Sequence, residues 1–339
     1  MLISFILRRL LAAVPALLTL VIATFLIMRV LPGDPAIFFA SSPVPTAEEI
    51  AYVREKLGLD HSIPEQLVIY LTDISSGDLG MSFTTGRPVL TEMMERLPAS
   101  LELALVALIL AVGISIPLGV CAAIWSGSLL DHAARAISSI GVSMPTFVTG
   151  FLLIYVFFLR LGIAPEPVDR LDMFITQPER VTGFLLIDSL LDGNWEALYS
   201  AAQRLALPSI TMAIFVMSPL TRMTRSAMVG VLGADYIRTA RAMGLSDWSV
   251  YVRYGLRNAL LPVLTTVGIV FSTMLGSNVL VERVFSWPGI GSFALNALLA
   301  SDYAPVQGFV LVMGVLLVSI NLIVDICYGL ADPRVRRAG

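Results

Sequence analysis

Residues 233–262 read GADYIRTARAMGLSDWSVYVRYGLRNALLP, a polar, arginine-rich island between two long apolar runs. Local signals divide it in two. ADYIRTARAMG predicts a short helix, with Asp235 near its positive end and Arg238 and Arg241 toward its negative end, stopped by Gly244. Ser246 predicts the cap of a second helix over DWSVYVRYGLRNALL, closed before Pro262. Ala240, Ala242 and Gly244 carry little side chain, so another surface can approach the backbone closely, and the arginines around them can pair with carboxylates on that surface.

The rest of the chain places this island beside a bilayer. Of 339 residues, 57% are hydrophobic and 14% charged, against roughly 25% charged in soluble domains, and the mean hydropathy is +0.84. Several apolar runs approach the ~20 residues that cross about 30 Å of hydrocarbon as a helix, and none shows the short alternation of a transmembrane strand. The reading is an all-α polytopic membrane protein with six spans, near residues 10–28, 103–124, 136–159, 205–219, 259–281 and 306–328. The third is interrupted by Ser143, Met144 and Pro145, which are either a simple kink or an opening of backbone groups onto a water-filled pathway. Cys121 and Cys327 both fall inside spans and read as apolar packing residues. The sole lysine is Lys56. It follows no G-x-x-x-x-G pattern, so the chain has no phosphate-cradling P-loop and no ATP hydrolysis by that route.

Charge sets the orientation. The segment 32–97 holds four basic and ten acidic residues, and the insert 160–203 holds seven acidic ones. Arg8 and Arg9, Arg135, six arginines from Arg222 to Arg257, and Arg334, Arg336 and Arg337 fall on the other side. Basic loops stay in the cytoplasm, so both ends and the central island are expected inside. Outside, Thr46 and Glu49 predict a capping box, Gly58 a helix stop, and Pro64 the start of an amphipathic helix. Asp78 reads either as a partner contact or as an Asx turn. Within the insert, Asp188, Asp192 and Glu196 break the apolar stretch 181–201 and predict an interfacial helix pair rather than a span.

Helix, Gly-Leu-Ser turn, helix is also the look of a DNA-binding helix-turn-helix. Spans begin within a few residues on both sides, leaving no room for the third helix and core of such a module, so nucleic acid is excluded as a partner. A blander reading, that the arginines only fix topology, stands beside docking.

On these residues the stretch resembles the cytoplasmic coupling loop, the EAA loop, of bacterial ABC importer permeases, and specifically their dipeptide, oligopeptide and nickel branch. DYIRTARA, one residue, then Gly-Leu is similar to the branch pattern over Asp235–Ala242, Gly244 and Leu245, with Met243 where lysine is frequent. Arg238, Thr239 and Ala240 occupy the Glu-Ala-Ala positions, and Arg257, Asn258 and Pro262 match further on. LPGDP (31–35), GDLG (77–80), RLPASLEL (96–103), FSWPGIG (285–291), DYAPVQG (302–308) and DPRVR (332–336) resemble family landmarks in family order, so the likeness covers nearly the whole chain.

The resemblance implies a type I importer fold and a non-catalytic permease subunit that binds no cofactor itself, ATP and Mg being used by its partners. Those partners are two ATPase subunits or domains, a second related permease, and an extracytoplasmic substrate-binding protein. It also implies a multi-pass protein of the bacterial cytoplasmic (inner) membrane. The implied ATPase-coupling residues are Asp235, Tyr236, Arg238, Thr239, Ala240, Arg241, Ala242, Gly244, Leu245, Ser246, Arg257 and Asn258. Expected substrates are di- or oligopeptides, with glutathione-like compounds, opines and nickel chelates as alternatives within the branch.

Residues 1–31 are expected as an amino-terminal span, 32–97 as an extracytoplasmic segment and 331–339 as a cytoplasmic tail. Between them, 98–330 form a five-span core carrying the insert 160–203 and the loop 222–258. Ser143, Met144, Thr273, Ser277 and Asn278, polar or unwound positions within spans, either line a pathway or bond to neighbouring helices. Asp325 is a further ionisable group within a span, functional or paired. A secondary transporter is the distant alternative, disfavoured because no internal repeat and few midplane charges are visible. An intramembrane enzyme is disfavoured by the lack of an HExxH motif and by only two histidines, placed on opposite sides.

Overall fold

A computed structural model describes residues 2–30, 36, 46–56 and 58–331. The expected landmarks at 31–35 and 332–336, the terminal arginines and the side chains of Asp325 and Cys327 lie outside that description. Among the described residues the chain is helical, with one isolated bridge between Met81 and Pro88. In order the helices are α1 Leu2–Val30, α2 Ala47–Lys56, α3 Ile63–Ser75, α4 Val89–Ile124 and α5 Leu129–Ser143. They continue with α6 Thr146–Arg160, π-helical from Ile154, then α7 Leu185–Leu191, α8 Trp195–Leu232 and α9 Asp235–Ala242. Last come α10 Ser249–Val284, π-helical to Leu256, α11 Ile290–Leu299 and α12 Tyr303–Ala331.

Five helices, α1, α4, α8, α10 and α12, are long and apolar enough to cross a bilayer. The remaining expected span, 136–159, falls on two pieces. α5 ends at Ser143, Met144 is extended at φ −104° and ψ 133°, and Pro145 opens α6. The proline lacks an N–H and disfavours helix in the residue before it, which is enough to unwind Met144.

Two other boundaries differ from expectation. The second helix of the expected pair at 181–201 is no separate element but the first turns of α8, which runs 38 residues through Pro208 and Pro219. Likewise the helix that follows Ser246 does not close before Pro262; it continues without a break as α10. A helix rises 1.5 Å per residue, so α8 is about 57 Å long and α10 (36 residues) about 54 Å, nearly twice the hydrocarbon thickness.

The described residues form two compact units, one of residues 2, 99–287 and 319–331, the other of those within 3–98 and 288–318. In the first, α8 is the spine. Leu205, Met212, Ala213, Val216 and Leu220 of α8 pack with Leu103, Ala107 and Ala111 of α4 and with Val270, Met274 and Val281 of α10. Two glycines let neighbours reach the spine. A Cβ on Gly119 of α4 would lie 2.6 Å from Thr224 Cβ and 2.9 Å from Thr221 O, and one on Gly141 of α5 would lie 2.9 Å from Ile214 O.

In the second unit, Phe25 stacks on Tyr70 at 5.4 Å and Arg29 Nε donates to Gln66. Both expected helix starts are found there. Thr46 and Glu49 exchange reciprocal bonds of 2.9 and 3.2 Å, and Ser62 and Glu65 form a capping box with Pro64 in the first turn. Gly58 turns at φ +61°, and Asp78 accepts from Gly80 N at 2.8 Å, the Asx turn. Asp302, fully buried, accepts through Oδ2 from Ser82 Oγ, Phe83 N, Thr84 N and Thr84 Oγ1. The motif DYAPVQG therefore anchors the turn that follows GDLG.

Candidate docking loop

α9 is eight residues long, too short to hold itself in water, so packing must fix it. Ile237 and Ala240, one turn apart, are buried against Val250 of α10, with Val231 and Leu232 of α8 and Tyr251 closing the cluster. Below it Met228 packs with Ala123 and Ala259. The short helix is thus seated on the adjoining ends of two long helices, α8 and α10.

Its end follows the expected stop. Leu245 N donates to Ala240 O at 3.3 Å and Gly244 N to Arg241 O at 2.9 Å, the paired bonds of a Schellman motif with Gly244 at φ +75°. A Cβ at Gly244 would meet nothing within 4 Å, so the outer side of the turn is open. Ser246 Oγ accepts from Ser249 N at 3.4 Å and starts the next helix as read from the sequence.

The opposite face is uncovered. Asp235, Tyr236, Thr239, Arg241, Ala242, Leu245 and Ser246 are exposed, and Arg238 and Trp248 are 80% and 75% exposed. Arg238 pairs with Asp235 at 3.5 Å in full solvent, a contact worth a few tenths of a kcal/mol and easily exchanged for another carboxylate. Arg241 lies over the Tyr251 ring at 5.8 Å. Arg257 is exposed, and the Asn258 amide bonds its own helix at Tyr254 O. Of the twelve expected loop residues, Ala240 is turned inward and the other eleven are exposed.

One residue beside this loop escaped the sequence reading. Asp131, fully buried three residues after the Ser128 cap of α5, receives a fork from Arg225 of α8, Nε at 2.6 Å and Nη2 at 2.8 Å. Gly127 N donates to it at 2.9 Å and Arg135 stands 3.5 Å away. The Arg225 fork, helped by the Gly127 N–H, holds the Asp131 carboxyl well below the usual carboxylate range. From the sequence Arg225 falls in the basic loop 222–258, where an arginine needs no partner; only the continuation of α8 to Leu232 puts it inside a long helix.

The pathway candidates separate. Ser143 Oγ bonds back to Ser139 O and Thr273 Oγ1 to Ile269 O, both on exposed faces. Ser277 Oγ bonds Met274 O. Asn278 is buried, donating to Ser100 O at 3.3 Å and to Glu282 Oε1 at 3.0 Å, while Ser100 Oγ donates to Glu282 at 2.5 Å. Glu282, one residue past the expected span 259–281, sits inside α10, fully buried.

The insert is ordered by charge. Glu102 of α4 takes Arg170 at 2.5 Å and Leu186 N at 2.8 Å, and Arg204 of α8 holds Asp172 at 3.0 Å. Asp172 in turn accepts from Phe174 N. Met173 and Phe174 stand out at 86% and 90% exposure on that tethered turn.

Five long apolar helices, two of which carry a short exposed helix between them, define a multi-pass membrane protein. The chain belongs to the family described as binding-protein-dependent transport system inner membrane component, whose model matches residues 115–337, with its amino-terminal companion over 1–104. It is accordingly a permease component of a transport system. It is 42% identical over 318 residues (94% of this chain, 93% of the relative) to the probable D,D-dipeptide transport system permease DdpB of Escherichia coli K12. It is 39% identical over 334 residues (98% of both chains) to the dipeptide transport system permease DppB of the same strain. To the di/tripeptide transport system permease DppB of Pseudomonas aeruginosa it is 41% identical over 333 residues (98% of both).

Proposed function

We propose that this chain is the permease subunit of an ATP-driven importer of di- or tripeptides in a bacterial inner membrane, working with a second permease, two ATPase subunits or domains, and an extracytoplasmic binding protein. The observation that carries the reading is α9, clamped inward by Ile237 and Ala240 and bare outward, as a helix must be if it is pushed by a partner and is to move the spans behind it. ATP and Mg belong to the partner; this chain binds no cofactor in this reading. Closure of the ATPases would shift α9, and with it α8 and α10, between two membrane states, the differential contact that lets hydrolysis bias an equilibrium. The acidic segments 32–97 and 160–203 are the surfaces offered to the binding protein, and Ser143, Met144, Thr273, Ser277 and Asn278 remain the candidates for the pathway.

Peptides are favoured by the names of three relatives matched nearly end to end; chelated nickel, glutathione-like compounds and opines are the alternatives, and the ligand retained by the cognate binding protein decides among them. The docking assignment is tested by Gly244→Asp. A non-glycine residue at φ +75° costs about 1–2 kcal/mol locally but clashes with nothing, so membrane insertion should persist while ATPase co-purification weakens and uptake is lost. Normal uptake by this variant refutes docking. Ion-gradient-driven uptake by the purified chain alone would replace the importer with a secondary transporter.

A further inference from the structure

Arg225 lies one turn before Met228 and two turns before Leu232 on α8, so the three share a stripe of that helix. Leu232 touches α9, Met228 seats the base beneath it, and Arg225 grips Asp131 at the start of α5. We infer that the Asp131–Arg225 pair is the strut by which movement of the docking loop, carried along α8, is handed to α5, making Asp131 a positioning residue of the transport cycle. This rests on the permease reading above and adds the internal route by which the push leaves the loop.

The geometry suits a rigid link. Both carboxylate oxygens are engaged by two guanidinium nitrogens, at 2.6 and 2.8 Å, and a planar fork of this kind fixes angle as well as distance. The other end of the carboxylate is built into α5 itself. Asp131 N donates to the Ser128 cap, and Asp131 Oδ2 accepts from Gly127 N in the turn before the helix. Arg225 Nη2 reaches Ser126 Oγ at 3.2 Å, tying the same turn a second time. A rotation or axial shift of α8 therefore carries the α4–α5 turn with it. Near its far end α5 also meets α8 closely, a Cβ on Gly141 falling 2.9 Å from Ile214 O, so the two helices stay together along their length. Two residues beyond Gly141, α5 ends and Met144 is unwound. A helix steered at its start and followed by an unwound residue at its end passes a push at the cytoplasmic loop on toward Ser143 and Met144.

The test uses the complete reconstituted complex with its ATPases, second permease and ligand-loaded binding protein, reading ATP hydrolysis and peptide uptake together. Asp131→Asn keeps the size and loses the charge. It is expected to assemble and to retain ligand-stimulated ATP hydrolysis within about twofold, while uptake per ATP falls by about tenfold, the scale of an ordinary coupling energy. Arg225→Lys, which keeps an ion pair without the fork, should lower that ratio by an intermediate amount, about threefold to fivefold, because the attraction survives and the fixed angle does not. An unchanged ratio in Asp131→Asn overturns the strut. So does a proportional fall of hydrolysis and uptake, which marks a folding or assembly defect, and so does a loss in Arg225→Lys as deep as in Asp131→Asn. Gly244→Asp, run in parallel, separates the two claims: if it transports normally the docking reading fails, whatever the Asp131 variants do.

Discussion

Ile237→Ala isolates what holds α9 in place. The side chain is fully buried among Ala240, Val250, Val231, Leu232 and Tyr251, and truncating such a residue costs about 2–5 kcal/mol. The site is at the surface and its neighbours can settle, so the lower part of that range, about 2–3 kcal/mol, applies. An eight-residue helix has no stability of its own to absorb this. Where the amides of α9 exchange by local opening, each 1.36 kcal/mol is a factor of ten, so their exchange should accelerate by about 30- to 150-fold. The assay is hydrogen–deuterium exchange by mass spectrometry on the purified protein, following peptides over 235–245 against peptides from the middle of α8. Tyr236→Ala, on the exposed face, is the control and should change exchange by less than about threefold. If Ile237→Ala leaves α9 protected, or if protection of mid-α8 falls as steeply as that of α9, the helix is not held by this cluster and cannot be a lever seated on it.

Other outcomes follow from the packing. Gly119→Val should lower thermal stability in detergent by about 1–3 kcal/mol, because its Cβ would meet Thr224 Cβ at 2.6 Å. Gly113→Ala in the same helix, with nothing within 4 Å, should be neutral or stabilising by up to about 1 kcal/mol; equal melting shifts for the two would refute the close crossing. Asp302→Asn keeps the size but removes the charge that four donors share, and at about 1.5–3 kcal/mol for bonds to a charged group should speed proteolytic cleavage near residues 82–86.

What could be read in advance was local. The Thr46–Glu49 box, the Gly58 and Gly244 stops and the Ser246 cap are decided by residues three to five positions apart, and each stands where the sequence put it. Continuity was harder. Asp188, Asp192 and Glu196 do keep the start of the 181–201 stretch out of an apolar span, but they say nothing about where the next helix begins, and α8 starts at Trp195 between two of them. Pro262 looks like a terminator, yet α10 continues through it. The least legible features were pairs remote in sequence. Asp131 and Arg225 are 94 positions apart and Ser100 and Glu282 are 182 apart, distances at which no periodicity or spacing rule speaks.

The surplus length of α8 and α10 bears on how the protein meets different lipids. A helix of 38 residues has roughly 18 more than hydrocarbon requires, so its depth is not pinned by hydrophobic matching, and a thicker or thinner bilayer can be met by sliding or tilting at a cost of fractions of a kcal/mol per Å. α1, Leu2–Val30, has 29 residues and about half that surplus. Sensitivity to bilayer thickness should therefore be greater at α1 than at α8 and α10, the two helices on which α9 is seated.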